Sequence, residues 1–499
     1  MISTIAWAPS DAAKVNPDVY KMTKDEFNAV RAEMQANPLI GGGDREEEEP
    51  LEIPEELKEY NFDDYDNDTE NTTVADRLVF ENLDKDQDFL DDNEDVSAWD
   101  INAETDVLIY AGRAQDEFAI VNQCVYDTSD NHLYLHHDVH ANAYPLGLAH
   151  IGFNFAAYNE YLELKDVAEE DPEAAKRCEL LLELIANKNA NYLAVASFSN
   201  EIEIWDMDLL DAVEPALSLG GEDLVKTMPS KAKNMPKKLM RPVTKKVLRP
   251  GSHTTAVLGV AWNALQKNLL ASCSADNTVK IWDLTTAECV MTLAHHKDKV
   301  QSVNWHPTEP TLLLTASYDK SVCVIDVEAN KLVTQIKLPA DPESSCWFNT
   351  ADSFKAVVST ENGEVIIMGT NGIEQQFKAS DKTVSSVSSC LAAPGMLLTA
   401  DLAGVIKVWK ITDEVICVHT RQASTDGIMC MSVSPYTPQF VAYGSNNVEL
   451  TVDNILSWEG VREAFNIEIA CPNTKQTIKL DNVDTFEDDV QSENEDDQE

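Results

Sequence analysis

Residues 2–9 read "ISTIAWAP". Apolar and polar positions alternate as in a half-buried strand, and a proline ends the run. The pattern returns at 257–263, "VLGVAWN", and at 300–307, "VQSVNWHP". After residue 9 it vanishes until about residue 107. From there short β-type runs separated by turn residues fill most of the chain. The first strand of a repeat thus stands alone at the start of the sequence.

The repeat has a period of 43. Trp262 to Trp305, Asp276 to Asp319, Asp283 to Asp326 and His253 to His296 are each 43 residues apart, and Asn362 lies 43 beyond Asp319. "YLAVASFSNEIEIWD" (192–206), ending in Trp205 and Asp206, is a clear further copy. "LLTADLAGVIKVWK" (397–410) and "FVAYGSNNVELTVD" (440–453) are weaker ones. Each unit holds two to four short strands. A period of 40–45 with an upstream His and a terminal Trp-Asp is the WD-repeat signature, one four-stranded propeller blade per repeat. Resemblance to WD-repeat proteins implies that Asp276 in a tight turn bonds His253. His253 then reaches Ser272 or Ser274, and that serine the Trp282 indole. Such a network satisfies buried polar groups, so these residues read as structural. The next unit, with His296 and Asp319, has Ile325 in place of the tryptophan. The unit ending at Lys410 has Ala403 in place of the turn aspartate. Both are expected to lean on packing.

Units ending near 206, 283, 326, 369, 410 and 453 make six blades. The runs at 107–113, 118–127 and 132–139 supply three strands of a seventh and lack the first. "ISTIAWAP" fits that vacancy, so the chain reads as an all-β, seven-bladed propeller. Residues 1–10 give the first strand of blade one, 11–105 a helix and a disordered acidic insertion, 106–465 the ring, and 466–499 a disordered acidic tail. Loop-closure entropy grows only logarithmically, so an insertion of roughly 95 residues costs a few kcal/mol.

The charge is unevenly spread. Of a formal −49, residues 44–104 contribute 25 acids against 4 bases, and the last 19 residues 10 acids and no base. These segments favour basic partners or solubility and repel phosphates. Inside the ring, insertion 155–190 carries a helix with Asp171 as N-cap and Pro172 at its first position. Its face of Ala175, Cys178, Leu182 and Ile185 is expected to pack on the blade. Another short helix opens at Thr23 and Glu26, a capping box. Insertion 221–252 reverses the charge: residues 226–250 hold nine Lys/Arg and no acid. With Lys231, Lys233, Lys237, Lys238, Arg241, Lys245, Lys246 and Arg249, it reads as a nuclear localisation signal or a phosphate-binding arm. Thr485 and Ser492, each with an acid three residues on, fit an acid-directed kinase of the casein type.

Several chemistries are set aside. "DKDQDFLDDNED" (84–95) imitates a calcium loop but has Phe89 where glycine is needed. His136 and His137 should point to opposite faces of a strand, which disfavours a shared metal. No phosphate-loop, nucleophile-elbow or zinc-protease pattern occurs, so neither an enzyme nor a cofactor is expected. Ten scattered cysteines without a CxxC pair suit a reducing compartment, with Cys273, Cys323 and Cys430 in the core. No 18-residue apolar run and no leader-like start appear, so neither secretion nor a membrane span is expected.

In the order of its features the chain resembles the periodic tryptophan protein 1 family of WD-repeat proteins. The likeness rests on "AWAPSDAAKVNPDVYKMTKDEF", "VHANAYPLGLAHIGFN", "IEIWDMDLLDAVEP", "HTTAVLGVAWNALQKNLLASCSADNTVKIWD", "TASYDKSVCVID" and "REAF", across residues 1–465. It implies a nuclear and nucleolar factor in ribosome biogenesis, acting in pre-rRNA processing and large-subunit assembly. Proteins of pre-ribosomal particles, with pre-rRNA itself, would be the partners of a monomer within a larger complex. The alternative is a chromatin factor that binds histones and promotes ribosomal RNA gene transcription.

Overall fold

The alternating runs pair antiparallel, each with its sequence neighbour, into seven four-stranded sheets. A computed structural model describes residues 1–9, 11–14, 18–19, 101–102, 105–115, 118–165, 172–187, 190–210, 212–227, 243–350, 354–369, 372–390, 393–467 and 475–480. The unit Tyr20–Asp100, with the capping box and the calcium-like loop, lies outside these residues.

Blade one is β1 (Ile2–Ala8), β3 (Asp106–Gln115), β4 (Phe118–Asp127) and β5 (His132–His140). Blade two is β6 (Pro145–Ile151), β7 (Tyr192–Ser197), β8 (Glu201–Asp206) and β10 (Leu217–Gly220). A separate ribbon, β11 (Glu222–Thr227) with β12 (Val243–Leu248), follows. Blade three is β13 (Val257–Trp262), β14 (Leu269–Ser274), β15 (Val279–Asp283) and β16 (Glu288–Leu293). Blade four is β17 (Val300–Trp305), β18 (Leu312–Ser317), β19 (Ser321–Asp326) and β20 (Lys331–Lys337). Blade five is β21 (Pro342–Asn349), β22 (Phe354–Thr360), β23 (Glu364–Gly369) and β24 (Gly372–Lys378). Blade six is β25 (Ser386–Ser389), β26 (Met396–Ala400), β27 (Val405–Ile411) and β28 (Val415–Gln422). Blade seven is β29 (Ile428–Val433), β30 (Phe440–Ser445), β31 (Glu449–Asn454) and β32 (Gln476–Lys479). The first strands touch one another in a closed circle, including β29 against β1. The described chain is therefore a seven-bladed β-propeller.

The core is divided by the seams between blades. There are seven hydrophobic clusters, and each joins two neighbouring blades: Ile2, Trp7 and Ile109 pack with Phe440, Ala442 and Leu450 across the seam from blade seven to blade one. No blade buries its apolar faces alone, so the ring stands or falls as a circuit.

Bulges recur at fixed places. Six of the seven inner strands slip register between their first and third residues, as at Ile2/Thr4 and Val257/Gly259. Rim strands β5, β16, β20, β24 and β28 carry a second bulge, and the other two rim strands are only four residues long. Bulged or short edges resist pairing with other chains.

β1 pairs with β3 from Ile2↔Arg113 to Ala8↔Leu108. Residues 9–105 therefore connect two strands of one sheet. The chain after β1 differs from the expected free insertion. Ala12 is buried, the Lys14 N–H donates to Asp208 Oδ1 at 3.0 Å, and β2 (Asp18–Val19) pairs in parallel with β9 (Leu209–Leu210). The tail differs as well: it was expected to be disordered from 466, but residues 476–479 form the rim strand of blade seven. That strand, "QTIK", is too short and polar to announce itself in sequence.

Insertion 155–190 is a helical pair, α1 (Phe155–Lys165) and α2 (Pro172–Asn187). Asp171 lies outside the described residues. The buried face of α2 is Ala174, Cys178 and Leu181, with Ile185 partly buried; Ala175 and Leu182, expected inside, are exposed. Cys178 and Ile185 fall on the expected face, while the other two places are taken by the preceding residues, Ala174 and Leu181, in a helix where Leu180–Leu182 offers three adjacent candidates.

Tryptophans at the ends of inner strands clasp blades together. The Trp305 indole donates to the Ala261 carbonyl at 3.0 Å, Trp347 to Asn304 at 3.1 Å, and Trp7 to Ser432 at 3.3 Å. The last of these closes the ring between blades one and seven. Trp262 donates instead within its own blade, to the Lys267 carbonyl at 2.8 Å. Trp7→Ala is expected to cost ~3–5 kcal/mol in urea unfolding, as for a buried large-to-small change. Trp262→Ala, at a more exposed site without a cross-seam bond, should cost ~1–2 kcal/mol. Equal losses would show that the clasp is not what matters at Trp7.

Candidate functional site

The tight turn after β14 aims the Asp276 carboxylate at the loop entering blade three. Asp276 Oδ2 lies 2.9 Å from His253 Nδ1 and accepts from the Thr254 N–H at 3.1 Å; Oδ1 accepts from Thr278 N at 3.0 Å and its hydroxyl at 2.6 Å. His253 Nε2 sits 2.8 Å from Ser272 Oγ, and that oxygen accepts the Trp282 indole N–H at 2.8 Å. Ser272 is the relay. Ser274, the other candidate, bonds the Ala256 carbonyl and the Asp276 N–H. Asp283 closes the next turn through Thr285. Burial pushes the His253 imidazole down, over the pull of Asp276. Burial pushes Asp276 up, but bonds from His253, Thr278 and Thr254 outweigh it and hold the carboxyl well below the carboxylate range. The pair is thus a neutral imidazole against an ionised carboxylate. Nothing in it is free to react, and its chemistry is that of a lock.

Other blades solve the same problem with other residues. In blade four His296 Nε2 meets Thr315 Oγ1 at 2.8 Å, and Asp319 lies at a longer 3.4 Å from Nδ1. With Ile325 in place of an indole, the Thr315 hydroxyl turns to the Cys323 carbonyl at 3.4 Å. Blade six, expected to lean on packing because of Ala403, carries a network of its own. Asp401, two residues earlier, accepts the Ala403 and Val405 N–H groups and the Ser380 hydroxyl, while Trp409 donates to Thr399 at 3.0 Å. In blade two one longer side chain does everything: Glu203 accepts the Trp205 indole at 3.0 Å and the Asn142 N–H at 3.2 Å. Burial pushes its carboxyl up. Asp206, beside Trp205, accepts the Asp208 N–H at 3.0 Å. Blade seven carries buried Asp453 at the place of the tryptophan, 2.7 Å from Arg421 of blade six, whose guanidinium stands 5.3 Å over the Trp458 ring.

The lysine-rich insertion is more ordered at its base than the expected loop. β11 and β12 form a six-pair ladder. Arg249 Nε donates to Asp223 at 2.8 Å and its Nη1 to the Gly220 carbonyl at 2.8 Å, and Lys246 lies 3.6 Å from Glu222. Two left-handed glycines, Gly220 and Gly221, turn the chain into the stem. Lys245 is on β12, while Lys231, Lys233, Lys237, Lys238 and Arg241 lie outside the described residues. Thr485 and Ser492 lie outside them too.

His136 and His137 are closer than strand alternation allows. Gln123 pairs with His137 and Cys124 with Leu135, so His136 is the extra residue of a bulge, and the two Nδ1 atoms lie 2.8 Å apart. Burial and His136 push the His137 imidazole down to about 3. Among the described residues no group of three His, Cys, Asp or Glu is placed to hold a metal. Cavities of ≈ 190 Å³ (Asn304, Trp305, Cys346, Trp347, Ser388, Ser389) and ≈ 250 Å³ (Met1, Ser3, Tyr144, Phe198) lie below the ~300–1,000 Å³ of ligand pockets. Burial pushes the Cys346 thiol up to about 12, which keeps it protonated.

Asp276→Ala leaves His253 without its acceptor and should cost ~1–3 kcal/mol. Asp319→Ala should cost less, because its bond to His296 is longer and no indole depends on it. Chemical unfolding of both variants decides; equal losses would contradict this ranking. Acid should also loosen the ring. Burial lowers the folded-state values of His137 and His150, to about 3 and about 4, from an ordinary 6.5. Stabilisation from a lowered imidazole is whole above its unfolded value and is lost as pH falls below it. Glu203 and Asp453, whose values are raised, oppose this. Tm is expected to drop from pH 7 to pH 5. A His137→Gln/His150→Gln double variant should show a flatter slope, and an unchanged slope would assign the acid sensitivity elsewhere.

Comparison with known proteins agrees with this geometry. The WD domain, G-beta repeat family matches residues 244–283 and 287–326. An uncharacterised WD repeat-containing protein of Schizosaccharomyces pombe is 30% identical over 535 aligned residues, covering 98% of this chain and 94% of that protein. Periodic tryptophan protein 1 of Saccharomyces cerevisiae is 25% identical over 94% of this chain and 90% of its own length. The Drosophila melanogaster homolog is 24% identical over 93% and 96%. These matches run through the split first blade, the insertions and the ring alike, and the chain belongs to the periodic tryptophan protein 1 family of WD-repeat proteins.

Proposed function

We propose that this chain is a non-enzymatic scaffold in ribosome biogenesis, working in the nucleolus on pre-rRNA processing and large-subunit assembly. The observation that carries the reading is kinship with periodic tryptophan protein 1 along nearly the whole chain. Two physical features support it. The polar networks are consumed in locking blades, so what remains for partners is surface. That surface is split by charge: a net −49 chain offers one arm, 226–250, with nine cations and no acid. Such an arm meets RNA phosphates or an importin, and the acidic segments meet basic ribosomal proteins. Phosphate on Thr485 or Ser492 would strengthen that attraction without ordering the tail, which offers no arginine cluster. The second reading, binding of histones and promotion of ribosomal RNA gene transcription, draws on the same acidic charge.

The stem is predicted to survive loss of the arm's charge, because it is anchored through Gly220, Gly221 and Arg249. Replacing Lys231, Lys233, Lys237, Lys238, Arg241, Lys245 and Lys246 with Ala, and keeping Arg249, should leave Tm unchanged. It should weaken RNA crosslinking in cells or nuclear accumulation. Unchanged crosslinks and unchanged localisation together would return the arm to a solvated loop. Crosslinks on pre-rRNA favour assembly; retention on histone peptides without such crosslinks favours the chromatin reading.

A further inference from the structure

We propose that the slot holding β1 is a strand-acceptor groove, in which β1 sits as a tethered ligand exchangeable for residues 1–9 of a second copy of this chain. Every other inner strand follows the rim strand of the preceding blade through a continuous loop. β1 has no such neighbour: blade seven ends at residue 480, and β1 reaches its own sheet only through residues 9–105.

What holds it is a set of recognition contacts. The backbone ladder to β3 supplies affinity without regard to side chains, as in strand addition generally. Side chains supply selectivity. Ile2 is fully buried against blade seven, where a Cβ on Gly444 would lie 2.6 Å from Ile2 Cγ2, so that glycine is the floor of an isoleucine pocket. The Cys430 thiol reaches the Ile2 carbonyl at 3.5 Å. Ser3 donates to the Pro145 carbonyl of blade two at 2.6 Å. Trp7 is 5% exposed and bonds Ser432 across the other seam. Ala6 and Ala8 are buried in the cluster that holds Tyr110 and Leu148. One nine-residue segment thus touches three blades through one large, one β-branched and two small apolar positions.

The occupant that fits is this segment itself. The strands at 257–262 and 300–305 share its pattern, but continuous loops at both ends hold each of them in its own blade. Residues 1–9 of another molecule carry the same side chains, and each copy joins its own ring only through the long connection 9–105, so exchange follows the route of domain swapping.

The test uses the intact chain with a protease site placed between residues 45 and 46 and a fluorophore at residue 20. After folding, cleavage is expected to leave the labelled fragment co-eluting with the ring. Unlabelled peptide 1–14 in large molar excess should then displace it, with Tm kept. The same peptide with Ile2→Asp and Trp7→Ala should not. Immediate loss of the fragment from a ring that melts like the intact protein would show that β1 is dispensable. Because residues 11–19 hold blade two on their own, retention of the label counts only with peptide binding: no peptide bound to the ring, even after warming to just below the melting midpoint, would show a locked strand and no acceptor groove. Equal displacement by both peptides would remove the side-chain selectivity. None of these outcomes depends on what the assembled ring binds.

Discussion

The contact between β1 and blade seven is the condition on which the other seams depend. A propeller stores its hydrophobic energy between blades, and here each of the seven apolar clusters needs both neighbours. Opening one seam therefore exposes two faces and frees the rest to splay. Six seams are backed by a chain that passes continuously from one blade to the next. The seam between blades seven and one is held by packing of Ile2, the Trp7 clasp and the reach of Arg113 to the Leu480 carbonyl. That seam makes two specific demands on sequence: an isoleucine that needs a glycine opposite and a tryptophan that needs a carbonyl.

A second constraint repeats around the ring. Blades two, three and six must each bury an indole near the end of the third strand without leaving its N–H unpaired. Blade three spends four residues on this, Asp276, His253, Ser272 and Trp282. Blade two does it with Glu203 alone, and blade six with Thr399. These solutions differ in charge. The relay in blade three keeps its imidazole neutral and its carboxylate ionised, whereas Glu203 carries a carboxyl raised by burial. Blades with identical shape thus respond differently to acid.

How far the sequence disclosed this follows from the length scale of each signal. The repeat is global and strong, so the propeller, its seven blades and the pairing of residues 2–9 with 107–113, observed for 2–8 with 108–113, could be read from periodicity. The relay in blade three was legible because its residues stand at the consensus spacing. The substitutes in blades two, six and seven were not, since Glu203, Asp401 and Asp453 occupy positions where the pattern expects other residues. Asp401 could have been found as an acid two residues before a missing one, at the position of Ser274. His136 and His137 were misjudged because alternation was assumed and a bulge breaks it. The rim strand 476–479 was missed because four residues carry no periodicity. The strap at 11–19 was hidden for another reason: its pairing with residues 209–210 is parallel and distant in sequence, and no local pattern encodes such a contact.

The irregularities are not scattered. Blades three to five carry short connections, and the WD family model matches only there, over 244–326. The long insertions fall in blade one, in blade two and just after it, and within blade seven between β31 and β32. Where the chain departs from the period, a seam adds side-chain pairs to the kind of indole clasp that Trp305 and Trp347 supply in the regular blades. Tyr110 of blade one reaches Asn191 of blade two, and Asn191 reaches Asp208, which also holds Lys14. Arg421 of blade six grips Asp453 and Trp458 of blade seven, and Lys410 stands 5.6 Å over the Phe465 ring. A regular blade is positioned by its neighbours on both sides, by short loops and by clasps such as those of Trp305 and Trp347. A blade interrupted by long segments loses the short tether, and directional bonds take over the task of fixing its register. The sector around blades seven, one and two is therefore where new sequence can be added without loss of the ring. It is also the sector from which the acidic insertion and the lysine-rich arm depart.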